Sequence, residues 1–159
     1  MSRSTKILLT ISLIALVVVS ALTYINLSFA PYSSAKSQSN SIAKDNAGIV
    51  DPDYFGDYTR EDRYYSVGGL TSKKQYRYII INAKSGKTQT VNKDNAPLRQ
   101  SVVDGVAERY NPKKILHINL GLYKKKPTWE VAFKNKNGTI GYDLVDFKSG
   151  KSRQLINNI

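Results

Sequence analysis

Hydrophobic and polar positions divide the chain into three kinds of stretch. Residues 7–30 carry no charged side chain and are rich in Ile, Leu, Val and Ala. Residues 32–46 are rich in Ser, Lys and Asn, with only Ala35, Ile42 and Ala43 apolar. From residue 48 onward, short alternating runs are separated by turn signals, as half-buried strands require. Strands are expected at 63–70, 75–83 and 87–92, with Tyr76, Tyr78 and Ile80 on one face. Leu98, Val102, Val106 and Tyr110 recur every four residues, so 97–110 reads as a helix, opened by Pro97 and ended by Asn111-Pro112. Further strands are expected at 115–123, 128–134, 139–147 and 151–156. Asn137-Gly138 and Ser149-Gly150 supply the turns.

The first stretch predicts a membrane anchor. As a helix, 7–30 reaches about 36 Å, longer than a hydrocarbon core of about 30 Å. Arg3 and Lys6 precede it, which keeps the N-terminus in the cytoplasm and puts the C-terminal part outside. An uncleaved anchor is preferred to a cleaved signal peptide, because the apolar run is long for a signal and Pro31 follows the small residues Ser28 and Ala30. The next stretch, 31–50, is read either as a flexible spacer or as a weak helix.

An internal repeat organises the remainder. The segment from Ile80 to Thr88 maps onto Leu144 to Ser152 when shifted by 64, with Lys-Ser-Gly-Lys identical in both. The same shift places Tyr65 on Trp129, Val67 on Val131 and Tyr78 on Tyr142. Two copies of a helix-and-sheet unit are expected. A unit of about 60 residues is marginal by itself, so the copies are expected to share an interface.

Composition narrows the chemistry. The 159-residue chain has no Cys and one His, which removes disulfides, thiolate nucleophiles and Cys- or His-rich metal sites. No catalytic, cofactor or metal site is expected, and the chain is read as non-enzymatic. Its formal net charge is +12. Without Arg3 and Lys6 there remain 22 basic and 12 acidic residues, a net of +10, which favours polyanions such as teichoic acid or anionic lipid headgroups. No nucleic-acid motif accompanies the charge.

Several individual residues have a plainer role beside a sharper one. Gly86-Lys87-Thr88 and Gly150-Lys151-Ser152 resemble the end of a P-loop, but Ile81 and Val145 stand where its first glycine belongs; both are read as β-turns. His117 is read as an exposed sheet residue without a carboxylate partner. Trp129 shares parity with Val131 and Phe133 and is read as core, leaving Glu130 to point the other way. Asn137-Gly138-Thr139 is read as a hairpin turn rather than a glycan acceptor. Tyr64, Tyr65, Tyr76 and Tyr78 are candidates for a partner surface, and Lys124, Lys125 and Lys126 for an anion contact.

The sequence Tyr64-Tyr65-x-Val67, then Trp129-Glu130-Val131-x-Phe133, then Tyr142-x-x-x-Asp146-Phe147-x-Ser149-Gly150-Lys151, with the N-terminal anchor, resembles the TseB-like cell-wall elongation regulators of Gram-positive bacteria. The resemblance covers roughly residues 55–159 together with the anchor. It implies an α+β fold: an N-terminal transmembrane helix followed by two tandem cystatin-like, PepSY-related units, each a helix packed on a small antiparallel sheet. The expected boundaries are a cytoplasmic tail at 1–6, the anchor at 7–30, the linker or weak helix at 31–50, a first unit at 51–93 with its helix within 33–47, and a second at 94–159. The implied function is an extracytoplasmic protein of the cell membrane that binds and modulates a penicillin-binding protein. The alternatives are a polyanion-binding envelope module and a PepSY-like regulator of an envelope protease.

Overall fold

The computed structural model describes residues 3–94 and 96–159; within the first helix the side chains of residues 3–11, 21, 22 and 24–29 are not described. The elements are α1 (Arg3–Ala47), β1 (Ile49–Thr59), β2 (Arg63–Thr71), β3 (Tyr76–Asn82), β4 (Thr88–Asn92), α2 (Arg99–Tyr110), β5 (Lys114–Tyr123), β6 (Lys126–Lys134), β7 (Ile140–Asp146) and β8 (Ser152–Ile156). The chain forms two compact units, Met1–Ser37 and Gln38–Ile159.

In the first unit α1 carries Ser20 and Thr23, whose hydroxyls donate to the carbonyls of Leu16 and Val19 at 2.8 and 2.9 Å. Much of the expected anchor at 7–30 lies outside the described side chains. Among the described residues no helix is long and apolar enough to cross a membrane, and the expected transmembrane helix is corrected on that finding. The helix does not stop where the apolar stretch does: it continues through Pro31 and the polar residues beyond it to Ala47.

The second unit is α+β with two four-stranded antiparallel sheets, in orders β1-β2-β3-β4 and β5-β6-β7-β8. Strand β1 is absent from the sequence reading, which begins the first sheet at residue 63. Asp51, Pro52, Asp53 and Asp57 break its alternation, and its pairing with β2 shifts register twice near Ile49–Tyr54. Its inward side is carried by Tyr54 and Tyr58, which are buried.

The 64-residue repeat recurs in the geometry. Strands β3 and β4 reappear 64 positions later as β7 and β8, and the pair Ile81–Thr88 recurs as Val145–Ser152. The turns match bond for bond. The Asn82 side-chain oxygen accepts from the amides of Lys84 and Ser85 at 3.1 and 2.8 Å, and the Asp146 carboxylate from those of Lys148 and Ser149 at 3.0 and 2.7 Å. Gly86 and Gly150 then take φ of +70° and +69°, where a side chain would be strained.

Each sheet has a helix on one face. Ala43 and Ala47 of α1 pack with Ile49, Val67, Ile79 and Ile81. Val102 and Val106 of α2 pack with Leu120, Trp129, Val131 and Phe133. Leu98, expected in the α2 stripe, precedes the helix and is exposed. Asn111 closes α2 in the left-handed conformation, its amide donating to Ala107 at 2.9 Å. The buried carboxylate of Asp143 is tied to this helix by Arg109 at 2.9 Å and to β8 by the Ser152 hydroxyl at 2.5 Å.

The other face of the first sheet, bearing Tyr54, Tyr58, Tyr78 and Ile80, meets the second sheet at β5. The Tyr54 and Tyr78 rings lie edge-on to Trp129 at 5.6 and 5.4 Å. The Tyr58 ring fills the space over Gly121.

Candidate functional site

Strand pairing puts two residue rows on the face of the second sheet opposite α2. One row is His117–Ala132–Tyr142 and the other is Asn119–Glu130–Leu144. Glu130 owes its direction to strand parity, since Trp129 and Val131 on either side point into the core. Over these rows stands the turn between β1 and β2, which supplies Thr59 and Arg60. With Asp57, they and His117, Asn119, Glu130 and Tyr142 of the two rows line a cleft of about 420 Å³.

Its floor is a charged pair. The Arg60 Nε donates to the Glu130 carboxylate, and the guanidinium lies 4.8 Å from the centre of the Tyr142 ring. The Glu130 side chain is only 8 % exposed, and its other oxygen lies 3.8 Å from His117 Nε2. A carboxylate so buried needs its cation, because an unpaired charge there costs several kcal/mol, on the order of 3–5 when one partner is removed. At the mouth, Arg63 grips Asp57 with two hydrogen bonds of 3.0 and 2.6 Å. Behind the floor the Tyr58 hydroxyl is buried and has no hydrogen-bond partner among the described residues. Burial, and then the negative charge of Glu130, push its ionisation well above the usual tyrosine range.

The expectation that His117 lacks a carboxylate partner is therefore corrected, although the imidazole is exposed as expected. No group of three or more metal-ligating side chains occurs among the described residues. The cleft can hold a polar ligand by hydrogen bonds from Asn119, Thr59 and Tyr142 around a neutralised floor.

The candidate partner tyrosines and the candidate anion-contact lysines lie elsewhere. Tyr78 is 4 % exposed and packed among Tyr54, Trp129 and Phe147, so its ring is not a partner surface. Tyr64 and Tyr76 are half-buried against the same core, the Tyr76 hydroxyl bonded to Asp53. Tyr65 stacks on Phe55 at 5.8 Å with Arg63 over its face. The lysine run is exposed: Lys124 and Lys125 form the β5–β6 hairpin at φ of 49° and 61°. Lys126 reaches a second pocket, of about 390 Å³, whose lining includes Val91, Pro127 and Phe147.

Arg60 and Asn119 were not legible as site residues. The one available signal was the outward parity of Glu130, but its partner Arg60 is 70 positions away.

The fold and cleft define a class: an α+β protein of two duplicated four-stranded sheets joined face to edge. No protein-family model matches the chain, and no curated protein matches it. Among solved structures, the YpmB protein from Bacillus subtilis is similar, with a TM-score of 0.64 at 20% identity over 76% of this chain and 95% of that one. At that identity the likeness is one of fold.

Proposed function

We propose that this chain is a TseB-like regulator: a non-enzymatic protein on the outer side of the cell membrane that binds and modulates a penicillin-binding protein during wall elongation. The observation that carries the reading is the block running from Trp129-Glu130-Val131 to Asp146-Phe147-Lys148-Ser149-Gly150-Lys151, the most specific part of the family resemblance. The fold likeness to YpmB, over nearly all of that chain, agrees with the α+β fold that the resemblance implies. Photo-crosslinking in cells from positions 65, 125 and 142, with identification by mass spectrometry, tests it. An adduct with a penicillin-binding protein is expected. Adducts without one, together with unchanged cell shape on deletion, would refute the reading.

A second reading has its own observation. Lys124 and Lys125 are displayed on an exposed hairpin in a chain with formal net charge +12. That arrangement suits a polyanion contact screened by salt. Replacing Lys124, Lys125 and Lys126 by Gln is expected to reduce wall retention and its salt dependence; no change would dismiss it.

A further inference from the structure

We infer that the cleft over Glu130 is a binding site for a neutral saccharide. The duplication singles this place out. In the first sheet the rows Tyr54–Gly68–Tyr78 and Gly56–Ser66–Ile80 form the face that takes up β5 of the second sheet. The same rows in the second sheet are His117–Ala132–Tyr142 and Asn119–Glu130–Leu144. Among the described residues no third sheet fills that face. Instead of the aromatic surface of the first copy, it bears a cleft lined by polar side chains. Ser66 in one copy corresponds to Glu130 in the other, so a small hydroxyl has been replaced by a buried carboxylate.

The charges inside the cleft are spent on each other. Arg60 neutralises Glu130, and Arg63 neutralises Asp57. A chain this basic attracts polyanions over much of its surface, but this cleft is balanced. What remains are the Asn119 amide and the Thr59 and Tyr142 hydroxyls, whose side chains make no hydrogen bond among the described residues. Each both donates and accepts, as a saccharide hydroxyl does. Glu130 uses one oxygen for Arg60; the other is 3.8 Å from His117, outside ordinary hydrogen-bond distance. It faces the cleft with the His117 imidazole as its nearest polar neighbour and no hydrogen bond. A volume of about 420 Å³ lies within the usual range for small-ligand sites, about 300–1,000 Å³. The inference goes beyond the regulator reading and does not depend on it.

The test is titration of the full-length chain with diacetylchitobiose and with cellobiose, followed by two-dimensional NMR. Saturable shifts are expected at the Asn119 side-chain amide and at Tyr142 with at least one of the two sugars. Asn119→Ala is expected to weaken binding about two- to tenfold, the range for one lost neutral hydrogen bond, without lowering the unfolding temperature. Lys125→Ala, outside the cleft lining, is expected to leave it unchanged. Absence of saturable shifts with both sugars overturns the inference. So does unchanged affinity in Asn119→Ala, or stronger binding at the cleft by poly(glycerol phosphate) than by either sugar.

Discussion

The Tyr54 hydroxyl accepts a hydrogen bond from the backbone amide of Leu120 at 2.8 Å, 66 positions away and in the other sheet. The same oxygen lies 3.4 Å from the Ile118 carbonyl, to which it donates. Strand β5 is the edge of its sheet, and an unpaired edge exposes amides and carbonyls to any passing strand. Here one side chain takes up one amide and one carbonyl of that edge. The two halves of the duplication are thereby locked together.

Tyr54→Phe is expected to destabilise the protein by about 1–3 kcal/mol, because the Leu120 amide loses its partner in a buried seam. Urea unfolding measures this. A loss under 0.5 kcal/mol would mean that another group or water serves the amide equally well.

Burial raises the Tyr54 pKa to about 12, despite hydrogen bonds from Ser66 and Leu120 that act the other way. The unfolded chain therefore releases this proton before the native one does. Stability contributed by Tyr54 is fully present below about pH 10 and is lost as pH rises from there towards 12. Alkaline denaturation followed by circular dichroism is expected to show this limb, shallower in Tyr54→Phe.

Asp146 behaves in the opposite sense. Burial disfavours its charge, but hydrogen bonds from Arg153 and from the amide and hydroxyl of Ser149 outweigh burial and lower its pKa to about 2. Its stabilisation is present above about pH 4 and is lost as pH falls towards 2. Asp146→Asn, which copies the Asn82 turn of the first half, is expected to fold and to reduce the acid sensitivity. An unchanged acid limb would contradict this account.

Arg109→Ala is expected to cost about 3 kcal/mol or more, since it leaves the fully buried Asp143 with Ser152 alone. Asp143→Asn in the same background is expected to restore part of the loss by removing the buried charge. Chemical denaturation of the single and double variants gives the comparison.

Gly121→Ala is expected to destabilise by about 1–3 kcal/mol, because a methyl group there would overlap the Tyr58 ring. Gly105→Ala, on α2, is the control: its new Cβ would meet only the end of the Arg109 side chain. A control variant at or above wild-type stability is the expected outcome.

Much of the second sheet was legible because its signals are local. Trp129, Val131 and Phe133 alternate cleanly, and Asn137-Gly138 marks its hairpin. Strand β1 escaped notice because its buried positions are tyrosines set among aspartates, so a hydropathy pattern reads it as polar. The candidate partner tyrosines are spent largely on the core: Tyr76 and Tyr78 pack against each other at 5.1 Å. A tyrosine offers an apolar ring and a polar tip, so its sequence position does not say which is used. The apolar stretch at 7–30 showed a second limit. Composition was sufficient to suggest a spanning helix, yet the described helix runs on through polar residues to Ala47.

By itself the sequence determined the strand periods, the matched Ser-Gly turns, the α2 stripe from Val102 and the 64-residue offset. These depend on residues close together along the chain, or on identity between two stretches of it. Only the tertiary structure decided that Tyr54 caps β5, that Arg60 neutralises Glu130, and that one sheet face is filled while its counterpart is a polar cleft. Those pairings arise when whole faces meet in space, and burial then sets their energies through desolvation, which no local pattern encodes.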